Sequence, residues 1–178
     1  MILPVYAYGT RVLKRKTKEV QSDHEGLDKF ISDMWDTMYH AQGVGLAAPQ
    51  VGHSLRIFII DTVQLAKEGE EKGIKQVFIN PEILDEEGEP WTYEEGCLSI
   101  PEVRGDVERP SKVTIQFLDD EFREHTQTFD EIDARVIQHE YDHVEGVLFT
   151  ELLKPVKKRR IKRKLDNIKK GKVEASYP

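Results

Sequence analysis

Gln138-His139-Glu140-Tyr141-Asp142-His143 closes a longer run, Phe129-Asp-Glu-Ile-Asp-Ala-Arg-Val-Ile-Gln-His-Glu-Tyr-Asp-His-Val-Glu-Gly146, that reads as one helix. Asp130 suits the N-cap, acidic residues fill the first turn, and Gly146 suits the position just past the last turn, where the backbone turns left-handed. Ile132, Val136, Ile137 and Val144 recur at helical spacing and predict an apolar, buried face. His139 and His143 are four residues apart, so they share a face with Cβ atoms about 5–6 Å from each other. Two imidazoles at that separation can hold one metal ion, and Glu140 beside them can act as general base on a water bound to it. The same residues would also describe two helical histidines near a surface glutamate. A third ligand from elsewhere in the chain decides between the two.

Cys97 is the single cysteine, set in Glu95-Gly-Cys-Leu-Ser99. A lone cysteine is most often a small buried hydrophobe. Here the chain has no downstream His or Glu spaced as in the common zinc peptidases. Cys97 with His139 and His143 supplies three protein ligands and leaves one position open, the pattern of a catalytic site.

The chain has 178 residues, 38% hydrophobic and 33% charged, which suits a soluble globular protein and one domain spanning residues 1–178. No apolar run approaches the roughly 18 residues that cross a bilayer. The N-terminal residues carry no basic segment of a signal peptide, and a lone cysteine implies no disulfide framework, so a cytoplasmic protein is expected, with no membrane partner. The net charge of −7 hides an asymmetry: residues 154–172 carry eleven basic side chains and one acidic one. Such a block is either a solvated helix face or a contact for a polyanion.

Working outward from the metal motif, Asp23 to Ala41 predicts a helix whose stripe of Leu27, Phe30, Ile31, Met34, Trp35 and Met38 is core. Thr10–Leu13 reads as extended. Leu55–Asp61 and Gln76–Asn80 read as strands, the second closed by Pro81, with a loop over residues 64–75 between them and a turn at 86–90. Val113–Asp119 and Glu124–Phe129 predict a paired hairpin. Strands grouped around a few helices, without strand-helix-strand alternation, predict an α+β fold. Its mostly antiparallel sheets would pack around a central metal-binding helix, flanked by an N-terminal and a C-terminal helix.

Gly43-Val-Gly-Leu-Ala-Ala-Pro-Gln50, Glu95-Gly-Cys-Leu-Ser99 and Gln138-His-Glu-Tyr-Asp-His143 resemble the three signature motifs of the peptide deformylases, in that family's order. With the flanking strands, the resemblance spans nearly the whole chain. It implies a hydrolase that removes the formyl group from the N-terminal formyl-methionine of nascent peptides. It further implies that the Gln50 amide and the backbone N–H of Leu98 stabilise the oxyanion while Glu140 moves the proton. The substrate backbone would lie as a strand against Val44-Gly45. Arg104 would contact the peptide, and Val44 and Val136 would wall the methionine pocket. Glu95, Arg109 and Asp142 would orient the ligands. A sulfur and two imidazoles suit zinc, iron(II), cobalt or nickel, and the resemblance favours iron(II) in the cell.

In related enzymes a C-terminal helix docks on the ribosome, and a ribosome contact is expected of the basic helix here. Val156, Ile161, Leu165 and Ile168 would form its inner stripe, with Lys157, Lys158, Arg160, Arg163 and Lys164 outward. Two rivals stand beside this reading: a metallopeptidase, and a ribosome- or RNA-binding module whose histidines are structural.

Overall fold

The computed structural model describes residues 1–171, so Lys172, the last residue of the predicted basic segment, lies outside the described residues. Among the described residues, three α-helices, α1 (Leu27–His40), α2 (Glu131–Val144) and α3 (Pro155–Lys169), accompany seven strands. These are β1 (Gly45–Ala47), β2 (Ile57–Asp61), β3 (Lys75–Glu87), β4 (Trp91–Cys97), β5 (Ile100–Arg109), β6 (Lys112–Leu118) and β7 (Glu124–Asp130). Five of them form an antiparallel sheet in the order β1-β2-β3-β6-β7, and β4 and β5 pair separately. The fold is α+β with antiparallel sheets, as the sequence predicts.

β2, Ile-Phe-Ile-Ile-Asp, is buried along its whole length because helices cover both faces of the sheet. Alternation sends Ile57 and Ile59 toward Met34 and Met38 of α1, and Phe58 and Ile60 toward Ile137 and Tyr141 of α2. Burying these side chains contributes about 1.5–3 kcal/mol each before conformational entropy is subtracted. The stripe of α1 is core at Leu27, Ile31, Met34 and Met38, while Phe30 and Trp35 are half-buried at its margin. A third apolar cluster joins Val103 and Val107 of β5 to Leu13, Phe149, Leu153 and the inner face of α3.

Several predicted boundaries move, each for a local reason. α1 starts at Leu27 rather than Asp23, because Gly26 takes a left-handed φ of 73° and ends the preceding turn. Residues 11–14 form a single 3₁₀ turn rather than an extended stretch, which drives Leu13 into the core. β3 does not close at Pro81. It runs to Glu87 because its register shifts between Ile79 and Glu82, so the proline sits where no ladder N–H is needed. The sequence reading assigns no strand at β5. Its inward positions alternate through Val103, Gly105, Val107 and Arg109, and a glycine and an arginine hide the apolar period.

α2 ends where the sequence predicts. Gly146, at φ 77°, sits just past the end of the helix, and a Cβ there would lie 2.7 Å from the Lys14 carbonyl oxygen. Asp130 occupies the N-cap position without a side-chain cap bond, and the Glu131 N–H donates to Ser111 O instead. In α3 the inner stripe is Ile161, Leu165 and Ile168, but Val156 is 52% exposed, because the docked face begins a turn later. Lys158, Arg160, Arg163 and Lys164 point to solvent and Lys157 is half-buried. Among the described residues no helix is long and apolar enough to cross a membrane.

Candidate active site

α2 is anchored by Ile137, Tyr141 and Val144 in the core, so its opposite stripe, His139, Glu140 and His143, is held at a fixed height against the ends of β1 and β4. Cys97 arrives from the β4–β5 hairpin, whose register shifts between Gly96 and Cys97 so that Cys97 pairs with Ile100. Such an irregularity re-aims one side chain, and here Cys97 Sγ lies 3.3 Å from His143 Nε2. The ligand atoms of Cys97, His139 and His143 all lie within 4.8 Å of one another. Donors about 2.1–2.3 Å from a tetrahedral ion stand roughly 3.4–3.7 Å apart, so the cluster is close to ligating geometry.

Electrostatics point the same way. Burial opposes charge on His139, but hydrogen bonds to Cys97 and Glu95 outweigh it and hold its pKa well above the usual value. His143 is driven well below that value by its own burial and by the charge on His139. A neutral His143 imidazole keeps a nitrogen lone pair available to a metal ion. Burial also raises the Glu140 carboxyl to about 7, against the opposing pull of His139. Among the described residues, Glu140 Oε2 and His143 Nδ1 are buried without a hydrogen-bond partner. An unpartnered carboxylate oxygen beside three ligands is suited to a polar reactant.

The supporting residues form one buried network. Glu95 Oε1 lies 2.9 Å from His139 Nδ1, while Arg109 donates to both Glu95 oxygens at 2.8 and 3.0 Å. Arg109 also donates to Asp142 at 2.8 Å. Burial would raise Glu95, but His139 and Arg109 hold it far below the usual carboxylate range. Gln50 is oriented by its own turn: Oε1 accepts from Ala47 N–H at 2.9 Å, which aims Nε2 at Ser99 Oγ (3.3 Å) and Cys97 Sγ (3.4 Å).

A cleft of about 590 Å³ opens onto this cluster, bounded by Val44, Gly45, Leu98, Arg104, Ile132 and Val136. The structure therefore brings every predicted site residue either to the cleft or to the network behind it. The cleft and network residues that the sequence reading does not assign to the site include Ser99, Tyr93, Ile132 and Arg135. Arg135 carries a usable signal, since it stands four residues before His139 on the same helix face. A buried arginine there demands a carboxylate.

A family model described as polypeptide deformylase matches residues 2–159. The chain belongs to the polypeptide deformylase family. A peptide deformylase of Christiangramia forsetii is 53% identical over 99% of this chain and 94% of its own length. One of Cytophaga hutchinsonii is 50% identical over 99% of this chain and 96% of its own. The solved structure of a Legionella pneumophila peptide deformylase covers 100% of both chains with a TM-score of 0.84 at 40% identity. One from Plasmodium falciparum gives 0.85 at 34% identity, covering 94% of this chain and 95% of that one. As a deformylase, the chain is a metal-binding hydrolase that removes the formyl group from formyl-methionine nascent peptides.

Proposed function

We propose that residues 1–178 form one deformylase domain, working in the cytoplasm. In it Cys97, His139 and His143 hold one divalent ion while Glu140, Gln50 and Leu98 carry the reaction. The observation that carries this reading is Glu140: 2% exposed, with one oxygen unpartnered, and adjacent to three convergent ligands at the floor of a cleft. Iron(II) is the proposed ion in the cell, and zinc, nickel and cobalt suit the same donors. An ion held by Cys97, His139 and His143 would supply Lewis acidity, lowering the pKa of the attacking water and polarising the formyl group.

Glu140 takes a proton from the attacking water and returns it to the departing amine as the C–N bond breaks, leaving formate. Glu140 is buried beside the three ligands with one oxygen unpartnered, which places it to move the proton in both directions. The Gln50 amide, locked by Ala47 N–H, donates to the oxyanion together with the backbone N–H of Leu98. β1 is an edge strand, and the carbonyl of Val44, the residue just before it, is taken by Asp61 N–H, so alternation turns the polar groups of Gly45 toward the free edge. The substrate backbone pairs there, its methionine side chain against Val44 and Val136. Arg104, held at the lip by Glu94 at 2.9 Å, contacts the following residues. Glu95, Arg109 and Asp142 hold His139 in place. The solvent-facing lysines and arginines of α3 serve as a ribosome contact, binding RNA phosphates.

The test is formate release from formyl-Met-Ala-Ser by anaerobically prepared protein of measured metal content. Acetyl-Met-Ala-Ser and unblocked peptide serve as comparisons. Rapid formate release with negligible action on the other two is expected. Comparable kcat/KM on the acetyl peptide, or cleavage of unblocked peptide bonds, would overturn the reading.

A further inference from the structure

Arg135 is 2% exposed and hydrogen-bonds to none of the three ligands, yet it engages Glu95, the carboxylate that meets His139. Its NH1 donates to Glu95 Oε2 at 2.7 Å and to the Val107 carbonyl at 2.9 Å, and its NH2 donates to the Trp91 carbonyl at 2.5 Å. Its guanidinium carbon lies 4.7 Å over the Trp91 ring. A planar fork engaged by a carboxylate, two carbonyls and an indole face has one orientation available.

Arg109 already binds both oxygens of Glu95, so the question is what a second arginine adds. Arg109 comes from β5 and shares its guanidinium with Asp142, whereas Arg135 lies on α2, one turn before His139. Occupying Oε2 from α2 leaves Oε1 turned to His139 Nδ1, 2.9 Å away. The carboxylate is thereby tied back onto the same helix that carries the imidazole it orients. We propose that Arg135 is a positioning residue: it fixes Glu95, and through Glu95 the ring of His139, toward the metal. The inference rests on the assignment of His139 as a ligand.

Simple electrostatics predicts the opposite sign, which makes the role testable. Arg109, Arg135, Glu95 and Asp142 sum to zero, so deleting the Arg135 charge leaves a net negative cluster. If charge alone mattered, a cation would then bind more tightly.

The experiment measures zinc affinity of the metal-free full-length protein by competition with a chromogenic chelator. The proteins are wild type, Arg135→Met, Glu95→Gln, the double variant and His139→Ala. Positioning predicts that Arg135→Met weakens zinc binding about 10–100-fold, the usual scale for groups that orient ligands. It also predicts that the double variant is no weaker than Glu95→Gln alone, because both substitutions act through one group. Unchanged or tighter binding in Arg135→Met overturns the inference, as do additive losses in the double variant. Should Arg135→Met fail to fold, Arg135→Lys keeps a buried charge and removes the fork. A smaller loss that vanishes in the Glu95→Gln background supports positioning, and full wild-type affinity overturns it. Wild-type zinc affinity in His139→Ala would instead refute the ligand assignment on which the inference rests.

Discussion

Replacing Gly45 by alanine tests how closely the substrate-binding edge is built against the catalytic carboxylate. A Cβ on Gly45 would stand 2.9 Å from Glu140 Cγ, 3.0 Å from Cδ and 3.1 Å from Oε2. Ordinary carbon contacts lie at about 3.5–4.0 Å, so about 0.6–1 Å of relief is needed. Glu140 cannot supply it cheaply. The clash begins at Cγ, near the backbone of a buried helix whose other face is packed in the core. β1 is constrained as well: Gly45 pairs with Ile60 of β2, and the next residue, Leu46, pairs with Ile59 and is fully buried in the cluster around α1.

The strain in Gly45→Ala therefore divides between a shift of β1 and a shift of Glu140. Overpacking of this size costs about 1–3 kcal/mol, a Tm fall on the order of 3–10 °C for a chain of this length. The catalytic effect should be larger, since about 1 Å of misplacement costs on the order of 10²-fold in rate. None of the three ligands is among the three nearest atoms of the added methyl, so metal content should not change. The assay is kcat/KM on formyl-Met-Ala-Ser, with metal analysis and a thermal melt of the same preparation. A variant with wild-type kcat/KM would refute the close-packing argument, and one that loses its metal would show that the damage reaches the ligands.

Glu140→Ala should retain its metal and lose about 10²–10⁴-fold in kcat; metal loss equal to that of His139→Ala would show that Glu140 is a ligand instead. Alkylation of Cys97 in the metal-free protein should block metal rebinding while the loaded protein resists the reagent, and an alkylated protein that binds one metal at full activity would sink the assignment. Reversing the charges of Arg160, Arg163 and Lys164 should spare tripeptide hydrolysis and abolish salt-sensitive ribosome binding, and equal low-salt binding by both proteins would leave α3 a solvated face. Burial opposes the charge on Glu151, but the Leu148 N–H and Lys14 hold its pKa below the usual glutamate range. A depressed folded pKa contributes stability above the unfolded value of about 4.3 and loses it as pH falls. Glu151→Gln should therefore melt lower than wild type at pH 7, with the gap closing below about pH 4; a gap that persists in acid would rule out the charge as its source.

The sequence by itself determines what short-range geometry controls. The i, i+4 spacing of His139 and His143 places two imidazoles on one helix face whatever surrounds the helix. The alternation of Val113–Asp119 and Glu124–Phe129 likewise determines a hairpin, found as β6 and β7 in register from Lys112↔Asp130 to Leu118↔Glu124. Cys97 is legible as a ligand because it is the single thiol. The tertiary structure decides what depends on partners far along the chain. β3 continues past Pro81 because β6 offers it a shifted register, and β5 is a strand although its inward places hold Gly105 and Arg109. Arg109 and Arg135 point inward only because Glu95 is there to meet them, at separations of 14 and 40 residues. A buried charge is tolerable only beside its counter-charge, and no local periodicity in the sequence records which distant carboxylate that will be.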